Sequence, residues 1–162
     1  HMMVATVRGS FETFSGSVVF DEQDVSHASA EIQIEAASLN THNTQRDEHF
    51  RSADFFDVEH YPFITFKSTR VVMQDAHRGQ LIGDLTIRGI TREVTLDGEY
   101  SGVSQTPWNT YSAGFNLQGR VNRKEWGLNW NMLLAGGGLV ASDEITLLID
   151  LELTKPVEAA TV

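Results

Sequence analysis

The chain has no cysteine. Disulfides, thiolate chemistry and cysteine-bound metals are excluded together, while the compartment stays open, since a cysteine-free chain is viable in either redox environment. Positive charge is also scarce: 12 Lys and Arg stand against 22 Asp and Glu, a formal net charge of −10. Such an acidic surface repels phosphate backbones and anionic lipid head groups, which argues against nucleic acid and against charge-driven membrane binding. No apolar run approaches the ~20 residues of a membrane-spanning helix, and no signal-peptide pattern opens the sequence. A mature chain would have lost its signal in any case, so localisation stays open. Repeats and linkers are lacking as well. The 162 residues read as one domain over 1–162, able to bury roughly two thirds of its unfolded surface.

What the chain has instead is alternation. In Gln80 to Tyr100, Val94, Leu96, Gly98 and Tyr100 alternate with polar residues, and Leu81, Gly83, Leu85 and Ile87 do so before them. A period of two makes one face apolar and the other wet. Arg88-Gly89-Ile90-Thr91 between the halves suits a hairpin with a bulge or a four-residue loop. Similar stretches cover Val4 to Phe20, Ala30 to Ala36, Phe63 to Thr69, Thr110 to Val121 and Asp143 to Leu153. Phe11 and Phe14 are three apart, so a bulge or bend must separate them. Lys155-Pro156 should stop the last strand and leave a frayed tail. Residues 38–62 break the pattern; Asn43 or Thr44 can cap a short helix over about Gln45 to Ala53. The expected fold is all-β: an antiparallel β-barrel of about eight strands with one short helix. Inward small residues (Gly83, Gly98, Ala113, Gly119) suggest interior room, and an eight-stranded barrel can hold one small ligand.

Chemical motifs are weak by comparison. His42, His49 and His60 lack the i, i+4 spacing of a helical zinc site, so no metal site is expected. Asp47-Glu48-His49 has no serine nucleophile elbow beside it and reads as structural. Gly136-Gly137-Gly138 lacks the lysine and hydroxyl residue of a phosphate loop. There remain large apolar residues near the ends of the barrel, and basic residues close to them. Spacing alone does not separate a ligand pocket from a packed core.

The same residues resemble a known family. Arg46-Asp47-x-His49, Arg51-Ser52-x-Asp54-Phe55-Phe56-Asp57-Val58 and Tyr61-Pro62-x-Ile64-Thr65-Phe66-Lys67-Ser68-Thr69 resemble the signature of the YceI-like polyisoprenoid-binding proteins. So do Gly83-Asp84-Leu85-Thr86-Ile87-Arg88-Gly89 and Asn122-Arg123-Lys124 running into Trp126-Gly127-Leu128-x-Trp130-Asn131. The match runs in order through nearly the whole chain. It implies a bacterial, lipocalin-like extended barrel without catalytic activity or catalytic cofactor, holding an isoprenoid quinone or prenyl phosphate. The competing class is an enzyme acting on a small hydrophobic substrate in the same cavity. On this resemblance, Phe11, Phe14, Phe66, Leu85, Leu96, Phe115, Leu117, Trp126, Trp130, Leu134 and Leu147 would touch the lipid. Arg8, Arg46 and Arg123 would meet its head group. Family members begin with a further strand ahead of the position of His1, so edges around 11–20 and 143–153 are expected to lack a neighbour. Edges of that kind favour a homodimer. The family's acid before its glycine pair is here Ala135, which weakens any polar role for that loop.

Overall fold

The computed structural model describes residues 5–19, 21 and 24–156. The expected frayed tail from Val157 on, and part of the acidic turn at Asp21–Asp24, lie outside those residues. The strands are β1 (Ser10–Phe11), β2 (Phe14–Val19), β3 (Ser29–Glu35), β4 (Leu39–Asn40), β5 (Phe63–Met73), β6 (Arg78–Ile87), β7 (Ile90–Gln105), β8 (Thr110–Asn122) and β9 (Glu144–Pro156). Helix α1 spans Thr44–Arg51, with the Asn43 side chain accepting from the Arg46 N–H as its cap. No helix among the described residues is long and apolar enough to cross a membrane.

Seven strands form one antiparallel sheet in the order β2-β3-β5-β6-β7-β8-β9, and β1 with β4 makes a separate pair. Val18 of β2 and Leu151 of β9 belong to opposite ends of that sheet yet line the same cavity. The sheet is therefore curled into a half-barrel, the lipocalin-like shape expected, with one difference. Among the described residues no ladder joins β2 to β9, so the barrel is not closed. The two edges fall where the sequence placed them, around 11–20 and 143–153.

Local chemistry accounts for the elements. The extended stretch at the start does break between its two phenylalanines: Phe11 pairs with Leu39 in the small sheet, Phe14 with Ile34 in the large one. Phe11 consequently packs edge-on against Phe56, at 5.7 Å between ring centroids, while Phe14 is 58% exposed. The β6–β7 connection is tighter than the expected four-residue loop. Thr86 pairs with Thr91 and Ile87 with Ile90, leaving Arg88 and Gly89 as a two-residue turn with φ of 50° and 71°. Positive φ at both positions twists the turn in the hand of its strands, so the short form wins. β9 also runs past Leu153, because Lys155 and Pro156 still pair with Tyr111 and Thr110. A terminal proline on a sheet edge gives up no ladder bond that a neighbour needs.

Candidate binding cavity

The register sorts the inward residues into two ends. One collects the end of β3, the start of β5, the end of β6, the start of β7 and the loop after β8. Ala36, Phe55, Ile64, Leu85, Val94, Trp126 and Leu128 form a buried cluster there, with Phe50, Phe66, Trp130 and Leu147 packed against it. Helix α1 and the segment after it supply Phe50 and Phe55, whose rings meet edge-on at 4.9 Å. This end is plugged.

Polar side chains hold the plug in place. Trp126 is 1% exposed and its indole N–H donates to the Leu85 carbonyl at 3.0 Å. Arg123 is 4% exposed. Its guanidinium donates to the carbonyls of Ser142 at 2.9 Å, Trp130 at 2.9 Å and Leu128, and it reaches Asp143 Oδ1 at 3.4 Å. Arg46 donates to the Thr41 hydroxyl at 2.8 Å and the Thr41 carbonyl at 2.7 Å. Arg51 likewise serves the carbonyls of Ala37 and Leu39. Asp47 accepts from the Thr41 hydroxyl at 2.5 Å and from the Thr41 N–H at 3.0 Å. Those hydrogen bonds, the hydroxyl first, hold its carboxyl below the ordinary aspartate value against the opposing effect of burial. His49 contacts Asp54 at 3.0 Å and sets its ring edge-on against Trp130 and Phe55. The charged motif of the sequence is thus a set of clamps on backbone carbonyls and loops.

The opposite end holds an apolar cavity of about 90 Å³. Val18 of β2, Ala30 of β3, Val71 and Met73 of β5, Leu81 of β6, Tyr100 of β7, Phe115 and Leu117 of β8, and Leu151 and Leu153 of β9 line it. His77, in the β5–β6 turn, borders it and stacks near Tyr100, which in turn stacks on Phe115 at 5.1 Å. No Lys or Arg is among the lining residues. Arg78 next to His77 is engaged with Asp75, at 2.9 Å from Nε and 2.8 Å from a terminal nitrogen. Asp75 is itself held below the ordinary aspartate value, first by the His77 and Arg78 N–H groups.

Of the residues expected to touch a ligand, Phe115 and Leu117 line this cavity. Phe11, Phe66, Leu85, Trp126, Trp130 and Leu147 belong to the plug or pack on it. Leu96 is buried midway, its methyl filling the place of a Gly119 side chain at 2.6 Å. Phe14 faces solvent, and Leu134 sits in the loop 131–141, bonded to Gly138. Arg46 and Arg123 work at the plugged end, and Arg8 lies on an exposed segment. The expected interior vacancies are also partly taken. A side-chain carbon at Gly83 would lie 2.6 Å from the Phe66 ring, so that space belongs to Phe66; one at Gly98 would meet Leu117 at 3.1 Å and the Gly79 carbonyl at 3.7 Å, and Gly98 borders the cavity. Leu81, Leu151 and Leu153 continue inward alternations visible in the sequence. Val71 and Met73 do not, because a shift of register between Ser68 and Arg70 reverses which side chains of β5 face in.

The family model described as a YceI-like domain matches residues 1–153. A UPF0312 protein of Staphylococcus aureus strain bovine RF122 / ET3-1 is 38% identical over 146 residues, covering 90% of this chain and 82% of its own. The corresponding protein of strain USA300 gives the same figures. Among solved structures, the Campylobacter jejuni YceI protein superposes with a TM-score of 0.86 at 29% identity, over 96% of this chain and 88% of that one. Burkholderia cenocepacia BcnA superposes with a TM-score of 0.75 at 24% identity, over 95% and 91%, a likeness of fold alone. The curled sheet, its plugged end and these matches lead to one conclusion: the chain belongs to the YceI-like family.

Proposed function

We propose that the half-barrel binds a polyisoprenoid lipid without catalysing a reaction, its tail lying along the apolar interior and its head group near His77. The observation that carries this reading is the cavity wall: one face of seven strands converges on a space lined almost wholly by apolar side chains. Branched isoprene units suit such a wall, and burial contributes about 25 cal/mol per Å² removed from water, less the ordering of the tail. The stacked His77, Tyr100 and Phe115 rings, and a lining without cations, favour a neutral ring such as a quinone over a prenyl phosphate. At about 90 Å³ the space is below the roughly 300–1,000 Å³ of ordinary small-molecule sites. A long chain therefore needs the β2–β9 seam to part, or a second copy to add wall across it.

Native mass spectrometry of gently purified protein should find a bound isoprenoid, or uptake of an added quinone in preference to a prenyl diphosphate of equal tail length. Gly98→Val places methyl groups against Leu117 inside the cavity. It should weaken uptake at least about tenfold while changing stability by no more than about 1–3 kcal/mol, the usual range for overpacking. An empty protein that ignores every isoprenoid but turns over a small hydrophobic substrate would establish the enzyme instead.

Among the described residues no strand pairs with the outer edges of β2 and β9, and edges of that kind recruit other chains. Glu144, Asp150 and Glu152 on β9 discourage open-ended stacking by like charge. The expected result in sedimentation at several protein concentrations is a discrete homodimer. A monomer throughout would remove the second copy from the reading.

A further inference from the structure

Charged residues make up 21% of the chain, so about four are expected in any twenty positions; Tyr100 to Gly119 contains none. That interval is the outer half of β7, the β7–β8 turn and most of β8. Beyond Tyr100, whose N–H still donates to the His77 carbonyl at 2.7 Å, β7 has β8 as its remaining neighbour. After a register shift between Tyr100 and Val103, with Gly102 at a φ of 94°, Val103 to Gln105 carry the hairpin on past the β5–β6 turn.

At the tip stands Trp108, 82% exposed. The turn that presents it is well built. Thr106 and Thr110 join through their hydroxyls at 2.6 Å and through a backbone bond at 2.7 Å. The Trp108 N–H donates to the Thr106 hydroxyl at 3.3 Å, and Asn109 takes a φ of 60° to close the turn. A large aromatic is thus held outward on an ordered support. The same hairpin supplies Tyr100 and Phe115 to the cavity wall. On β9 beside it, Asp150, Glu152 and Lys155 are charged; Asp150 is bonded to Asn116 at 2.5 Å, and Glu152 and Lys155, closer to the tip, are of opposite sign.

We propose that this tip is a membrane anchor, and that its partner is the interfacial zone of a zwitterionic bilayer. Tryptophan prefers the level of the head groups, where its ring is buried and its N–H stays hydrated, whereas a charged side chain would oppose entry. A net charge of −10 makes attraction to an anionic surface unavailable, so the contact must be apolar and insensitive to salt. The uncharged hairpin is what such a contact requires. Docking would bring the cavity end to the surface where apolar lipids reside. Association of the tip with a bilayer does not require a lipid inside the cavity, so it can be measured on the empty protein.

The intact protein is mixed with phosphatidylcholine vesicles, and tryptophan emission and co-flotation are followed. Trp126 is buried and Trp130 half-buried, so a blue shift reports Trp108. The expected result is a shift and co-flotation unchanged at high salt. Co-flotation should fall about tenfold in Trp108→Ser, the loss expected for one large apolar side chain; the emission shift, whose reporter is gone, is read in the Gln105 variant instead. Gln105→Glu, which keeps the indole but adds a charge to the tip, should weaken both as well. Absence of association, or association undiminished in Trp108→Ser, overturns the proposal. So does binding confined to phosphatidylserine vesicles and lost in salt. A blue shift on concentrating the protein without vesicles would show that a second copy covers the tip, and would overturn it too.

Discussion

Arg123→Leu is expected to destabilise the protein by about 3–5 kcal/mol, the range for breaking a buried charged network, and to leave lipid affinity unchanged in the molecules that remain folded. The guanidinium is buried and ties three carbonyls of the 128–142 loop to Asp143. Leucine keeps much of the stem's volume but leaves those carbonyls without donors, each a desolvation penalty of about 1–3 kcal/mol. Arg123→Lys should recover only part, since one ammonium cannot reproduce a planar fork. Urea unfolding followed by circular dichroism measures the loss. A variant of normal stability that no longer takes up a lipid would return Arg123 to the head-group role implied by the resemblance.

Trp126→Ala should cost a further large sum, about 3–5 kcal/mol, as for other buried aromatic residues. The indole fills the middle of the plug and satisfies the Leu85 carbonyl at 3.0 Å. Alanine opens a void among Ala36, Phe55, Ile64 and Leu128 and removes that hydrogen bond. Trp126→Phe restores most of the volume without the donor, so it should lie between the two. The cavity at the far end is walled by other residues, so uptake by the folded fraction should survive in both variants. Thermal unfolding paired with native mass spectrometry separates stability from binding. Loss of uptake at unchanged stability would put Trp126 in the ligand's path.

The sequence by itself determined the long strands, most of their inward faces and one short capped helix, read over about Gln45 to Ala53 and found over Thr44–Arg51. These depend on a period of two and a side-chain cap, both local properties of the chain. It also carried the family, because that match rests on residue types in order. Only the tertiary structure decided which inward residues are plug and which are cavity wall. Trp126 and Phe115 are both large, aromatic and inward-facing; their difference is the end of the sheet to which the ladder carries them. Register was equally decisive for Val71 and Met73, turned inward by a bulge that no local signal marks. The arginines show the same limit. Arg46 and Arg123 look like head-group ligands beside a barrel end, yet the loops folding over them supply carbonyl acceptors from up to 19 residues away in the chain. A guanidinium binds whichever acceptors the fold brings within reach, and that is settled by packing between distant segments, not by the residues on either side of it.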